Sequence, residues 1–188
     1  MLNQEEENKI MYYNCKGDYK NLYRYLFKLL NTREYNSIDT WRITYDLANC
    51  SYRINNIDNA KKYINMSIEF MNQVTELGYD QKKAYTTWLY LYIYQDELTK
   101  EESLKEYYKI KKMLYFGKED EIIKAIDFDI ALIKENKEEM CNIIKDMIKY
   151  NYIDSLKDIL ENLNNKRIFN DIVCFIKENL KLDRRNSL

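Results

Sequence analysis

The absence of proline from all 188 residues, together with a total of only three glycines, constrains this chain more than any other feature. Strands need frequent reversals, and reversals recruit these two residues, because glycine tolerates a positive φ and proline presets a turn. A chain nearly devoid of both is expected to be helical almost throughout. The glycines that remain fall where hydrophobic periodicity lapses: Gly17 in Lys16-Gly17-Asp18-Tyr19, Gly78 in Leu77-Gly78-Tyr79-Asp80, and Gly117 in Phe116-Gly117-Lys118. They read as stops between helices. Asn55-Asn56, Asn136-Lys137 and Asn164-Asn165 interrupt the pattern in the same way, since Asn is the next-best residue for a left-handed cap.

Between these marks the periodicity predicts about ten helices, near 4–16, 18–31, 38–54, 57–76, 80–96, 99–115, 118–135, 137–149, 151–163 and 166–181. Thr99-Lys100-Glu101-Glu102 has the form of a capping box, and Lys118-Glu119-Asp120-Glu121 loads negative charge onto a first helical turn. The length suits one helical domain that buries a core without disulfides or metals.

Charge and residue types exclude several function classes. Lys+Arg 30 against Asp+Glu 31 leaves a net charge of −1, so the chain has no overall field to hold nucleic acid or an anionic membrane by itself. With no histidine there is no Ser/His/Asp triad, no Cys/His dyad and no imidazole metal ligand. Three scattered glycines cannot form a phosphate-binding or dinucleotide loop. Cys15, Cys50, Cys141 and Cys174 form no CxxC pair and read as small buried apolar residues. Asp127 and Asp129, the nearest pair of carboxylates, lie about 200° apart on a helix and read as surface charges. An enzyme is not expected, nor a cofactor or a metal. The acidic start Met1-Leu2-Asn3-Gln4-Glu5-Glu6-Glu7 and the lack of a long apolar run predict a cytoplasmic protein with reduced thiols.

The segment Trp41 to Ile68 resembles a tetratricopeptide repeat. Leu47-Ala48 supplies a large residue followed by a small one, Asn55-Asn56-Ile57 the turn, and Ala60 and Ser67 the small residues where two helices close, with Tyr63 and Ile64 packing between them. The same frame fits Tyr13 to Leu29 around Gly17-Asp18-Tyr19, more loosely Ala84 to Met113, and weakly the region near Met140. Taking Leu22, Ala60, Ser103 and Met140 as equivalent gives spacings of 38, 43 and 37 residues. The family's usual period is about 34. The resemblance implies an all-α fold of antiparallel helical hairpins stacked as a short right-handed solenoid. One domain would span 1–188, with tetratricopeptide-like hairpins over 1–115 and further hairpins and a cap over 116–188. Long repeats rich in Tyr and Asn also resemble the peptide-binding domains of peptide-pheromone receptors from Gram-positive bacteria and their phages.

On the helix near 80–96, Tyr85, Trp88 and Tyr92 lie within about 60° of one another, while Thr87, Tyr90, Leu91 and Tyr94 gather on a different side. The second set corresponds to internal packing positions, and the first falls where tetratricopeptide arrays line their concave groove. The equivalent face of the preceding repeat carries Arg42, Tyr45, Asn49, Tyr52 and Arg53. Together these eight residues are expected to bind a peptide or protein segment: the amide bonds main chain, the guanidinium groups take carboxylates, and the rings hold apolar side chains. Asn49 also stands at a place shared with carboxylate-clamp repeats. Tyr85, however, replaces one of that clamp's cations, which argues against a chaperone-tail clamp. The alternative is a small adaptor or stoichiometric inhibitor, phage- or plasmid-borne, that acts through its outer or C-terminal surface. The apolar last helix, with Ile168, Phe169, Ile172, Val173, Phe175 and Ile176, must either fold back or join a second copy as a homodimer. The tail around Arg184-Arg185 is expected to be a disordered end.

Overall fold

A computed structural model describes residues 1–73, 79–114, 120–166 and 170–186. The protein is all-α, and its described residues form ten helices and no strand. It divides into two compact units, Met1–Thr99 and Lys100–Leu188. The first holds α1 (Gln4–Cys15), α2 (Tyr19–Thr32), α3 (Ser37–Arg53), α4 (Ile57–Met71) and α5 (Tyr79–Ile93). The second holds α6 (Lys100–Met113), α7 (Glu121–Ile133), α8 (Lys137–Lys149), α9 (Ile153–Lys166) and α10 (Asn170–Asn186). Gly78, Gly117 and Phe169 lie outside the described residues. No helix among the described residues is long and apolar enough to cross a membrane.

Within each unit, packing is serial. Helix α1 meets α2, α2 meets α3, α3 meets α4 and α4 meets α5, with α3 also touching α5. In the second unit the chain of neighbours runs from α6 to α10, and α7 touches α9 as α8 touches α10. Polar contacts that join one hairpin to the next accordingly recur at nearly constant separation. Arg42 reaches Glu7 and Asn59 reaches Tyr23, 35 and 36 residues away. Ser155 reaches Glu121 and Lys137 reaches Asp171, each 34 residues away.

One turn is used four times. Gly17, Asn55, Glu135 and Asn151 all have φ between 56° and 64°. At each, the left-handed residue's amide bonds the carbonyl three residues back and the next amide bonds the carbonyl five back, as in Asn55 to Tyr52 at 3.0 Å and Asn56 to Ser51 at 2.8 Å. This double closure satisfies carbonyls that a helix end leaves orphaned. In three of the four, the next residue starts the following helix as well. Asp18, Asn56 and Asn136 each accept a backbone N–H from the third residue on. One short turn thus ends a helix and caps its successor, which accounts for hairpins made without proline.

The core follows from spacing. On α2, Leu22, Leu26 and Leu29 form a buried stripe at intervals of four and three. Each such side chain stabilises the fold by about 1.5–3 kcal/mol. Leu22, Ala60, Ser103 and Met140 prove to be the fourth residues of α2, α4, α6 and α8, and all are buried. The closest packing is between α3 and α4. There Ala48, Ala60 and Ser67 are fully buried, and the Ser67 hydroxyl lies 3.4 Å from the Trp41 carbonyl. Small residues allow that approach.

Four expectations require correction. Asn164-Asn165 does not end a helix, because α9 continues through both to Lys166. The tail around Arg184-Arg185 is not an irregular end, since α10 runs to Asn186. Cys15 and Cys174 are exposed. Cys15 is the last residue of α1, and Cys174 projects about 200° from the buried Ile172 and Ile176. Asp129 is buried, whereas Asp127 pairs with Lys111 at 2.5 Å. The angular separation therefore places one carboxylate inside and one outside, not both on the surface. In the second unit, Ile172, Val173 and Ile176 pack into a core with Met140, Ile144, Leu156 and Leu163, so much of the apolar character of α10 is spent on folding back.

Candidate functional site

On α3, every residue of one side is half-buried: Arg42, Tyr45, Asp46, Asn49, Tyr52 and Arg53. Their positions span about 120° of the helix, opposite the buried Ile43, Leu47, Ala48, Cys50 and Ser51. Complete coverage would make the face core and complete exposure would leave it unshaped. Half-burial means that neighbouring helices hold each side chain without closing over it.

Helix α5 docks beside α3 through a buried polar contact. The Trp41 indole N–H donates to the Thr86 hydroxyl at 2.9 Å, and Thr86 has no exposed surface. With that register set, the Tyr52 and Tyr92 ring centres come within 6.2 Å, and Trp88 lies 6.2 Å from Tyr92. Trp41 stacks on Tyr45 at 5.8 Å. Tyr45 also lies in the electrostatic field of Tyr85. Tyr85, Trp88 and Tyr92 are half-buried as well. The other side of α5 serves as packing: Leu91 is buried, Tyr90 stacks on Tyr94 at 4.4 Å, and the Tyr94 hydroxyl accepts from Asn65 of α4 at 2.9 Å.

The eight residues singled out by sequence therefore lie on neighbouring faces of two adjacent helices. Their charges, however, are arranged differently from expectation. The Arg42 guanidinium is paired with Glu7 of α1 at 3.0 Å, and that of Arg53 covers the Tyr19 ring with its centre 5.6 Å away. A carboxylate from a ligand would have to compete with Glu7 for Arg42. Asp46, which the sequence reading passed over, lies at one edge of the face, about 60° around the helix from Asn49. It is four residues from Arg42, three from Asn49 and seven from Arg53, a spacing that could have revealed it.

Burial dominates the ionisation of this face. It pushes the Asp46 carboxyl up to about 6, against the pull of the Arg42 guanidinium. The Tyr45 phenol is raised by burial and then by the Asp46 and Tyr85 charges, with Arg53 acting in the opposite sense. Burial likewise raises the Cys50 thiol, to about 12, so this cysteine is no nucleophile. Asn49 makes no side-chain hydrogen bond to any described residue. Its donors and acceptor are thus available on a face otherwise made of rings and balanced charge.

No group of His, Cys, Asp and Glu among the described residues is placed to hold a metal ion. The fold and the face together describe an all-α chain of serially packed hairpins that presents an aromatic and amide-bearing surface. No protein-family model matches the chain, and no curated protein matches it.

Proposed function

We propose that this protein is a non-enzymatic regulatory binding module, and that the α3 and α5 face of its first unit holds an extended peptide or protein segment in the manner of a tetratricopeptide groove. The observation that carries the reading is the Asn49 amide, half-buried and without a side-chain hydrogen bond to any described residue, on the α3 face that also carries Tyr45 and Tyr52. A segment laid across the two helices would place main-chain groups at Asn49, which can donate and accept at once. Its apolar side chains would rest against Tyr45, Tyr52, Tyr85, Trp88 and Tyr92, and the alternating Glu7, Arg42, Asp46 and Arg53 charges would select among its ionic groups. The lack of histidine and of phosphate-binding loops in the sequence supports binding over catalysis.

The test is selection of peptides from a random display library on the whole chain, followed by calorimetric titration of the selected sequences. Asn49→Ala and Trp88→Ala are expected to weaken binding about tenfold or more, the loss of one or two well-placed contacts in a desolvated site. Selected peptides that bind both variants as tightly as the wild type would place the site elsewhere.

A further inference from the structure

A second site candidate lies away from the α3 and α5 face, in a crease between α1 and α2. It has a volume of about 410 Å³, opens to solvent, and is lined by Lys9 and Tyr13 of α1 and by Asn21, Arg24, Tyr25 and Lys28 of α2. This size falls within the range of roughly 300–1,000 Å³ usual for small-ligand sites. Three of these side chains are cationic and none is a carboxylate, in a chain whose net charge is −1.

None of Lys9, Arg24 and Lys28 forms an ion pair or a side-chain hydrogen bond with a described residue. Lys9 instead rests over the Tyr25 ring, its Nζ 4.7 Å from the ring centre. Burial, then the charges of Glu6 and Glu5 on α1, raise the Tyr25 phenol. Glu6 is already engaged, by Arg33 at 2.7 Å and by the Asn3 amide at 2.8 Å. In the same unit Arg33 pairs with Glu6, Arg42 with Glu7 and Lys61 with Glu97, so none of these acids is left for the crease. Three cations without an ion pair line one crease beside two tyrosine rings, while the Asn21 amide is held by Asp18 at 2.8 Å, a lining that suits an anion against an aromatic wall.

We propose that the α1 and α2 crease binds a phosphorylated small molecule of mononucleotide size, its phosphate taken by Lys9, Arg24 and Lys28 and its planar portion lying against Tyr13. Arg24 supplies a planar fork suited to phosphate oxygens, and the lysines supply point charges that can follow it. The site is independent of the α3 and α5 face, so either can fail without the other.

Titration of the whole chain, followed by the amide and side-chain NMR shifts of Lys9, Asn21 and Arg24, tests the proposal with three probes: adenosine 5′-monophosphate, inorganic phosphate and adenosine. Adenosine 5′-monophosphate is expected to bind with a Kd near or below about 1 mM, more tightly than inorganic phosphate. Adenosine is expected to leave the crease signals unmoved. Arg24 and Lys28 are exposed, so Arg24→Ala with Lys28→Ala preserves the fold and is expected to weaken the nucleotide by about tenfold or more. Shifts that map to other residues, equal response to adenosine, or unchanged affinity in the double variant would each overturn it.

Discussion

The two units are built on one plan from different materials. Gly17 and Asn55 turn the chain in the first, and Glu135 and Asn151 make the same turn in the second. The first core combines Leu22, Leu26, Ile43 and Leu47 with small closures at Ala48 and Ala60, and a shell of half-buried tyrosines surrounds it. The second is aliphatic and methionine-rich, around Met140, Ile144, Met147, Leu156 and Ile176, with Phe128 as its buried aromatic. The turn and the helix spacing therefore carry the architecture, while the shell is free to vary.

Core truncations divide the units most sharply. Leu47 and Ile144 have no exposed surface, and replacing either with Ala is expected to cost about 3 kcal/mol, the usual loss for a buried large-to-small change. Trp41 and Trp88 both belong to Met1–Thr99, so tryptophan emission reports on that unit alone. In urea titrations, Leu47→Ala should shift the emission transition, and Ile144→Ala should shift the helical circular dichroism while leaving emission in place. Coincident shifts for both variants would mean that the units unfold as one.

A smaller effect comes from Asp46, whose carboxyl burial pushes up to about 6. Its folded pKa of about 6 lies above the ordinary 3.8, so the folded state binds the proton more tightly than the unfolded chain. The stabilising contribution is thus complete below about pH 4 and is lost as pH rises through 6. Asp46→Asn is expected to gain about 1–2 kcal/mol at pH 7 and to flatten the stability profile between pH 4 and 6. Thermal melts across that window, read by tryptophan emission, check it; a variant that keeps the wild-type slope would assign the pH dependence to another group.

The smallest effect concerns the shared turn. Glu135 holds a left-handed backbone at φ 56°, which costs a non-glycine residue about 1–2 kcal/mol. Glu135→Gly is expected to stabilise the second unit by about 0.5–1 kcal/mol, even though it removes the exposed Lys100 pair, which contributes little. Gly17→Ala is expected to destabilise the first unit by a similar amount. Chemical denaturation of the two variants gives both signs, and a loss on Glu135→Gly would break the equivalence of the turns.

Much of this architecture was legible before any coordinates. Helix number and approximate bounds followed from the stops and the periodicity, and the alignment of Leu22, Ala60, Ser103 and Met140 identified a common position in four helices. The misread helix end at Asn164-Asn165 has a local origin. Asn and Glu can each sit at a left-handed position, inside a helix or at its cap, and local sequence does not decide among these. Asn164-Asn165 therefore remained helical while Glu135 turned the chain. On the candidate face, apolar and aromatic spacing brought Tyr45, Asn49, Tyr52 and the α5 residues to notice. Asp46 escaped because a carboxylate on a helix ordinarily faces water, and only the packing of neighbouring helices reveals its burial. The pairing of Arg42 with Glu7 depends on contact between helices 35 residues apart, which no single-helix wheel contains.

The most direct measurement is photo-crosslinking of a library-selected peptide that carries a photoreactive group at its central residue, followed by peptide mapping of the whole chain. Adducts on Tyr45, Tyr52, Trp88 or Tyr92, reduced in Asn49→Ala, are the predicted result. Adducts confined to Lys100–Leu188, or unaffected by Asn49→Ala, would contradict the assignment of recognition to the aromatic unit.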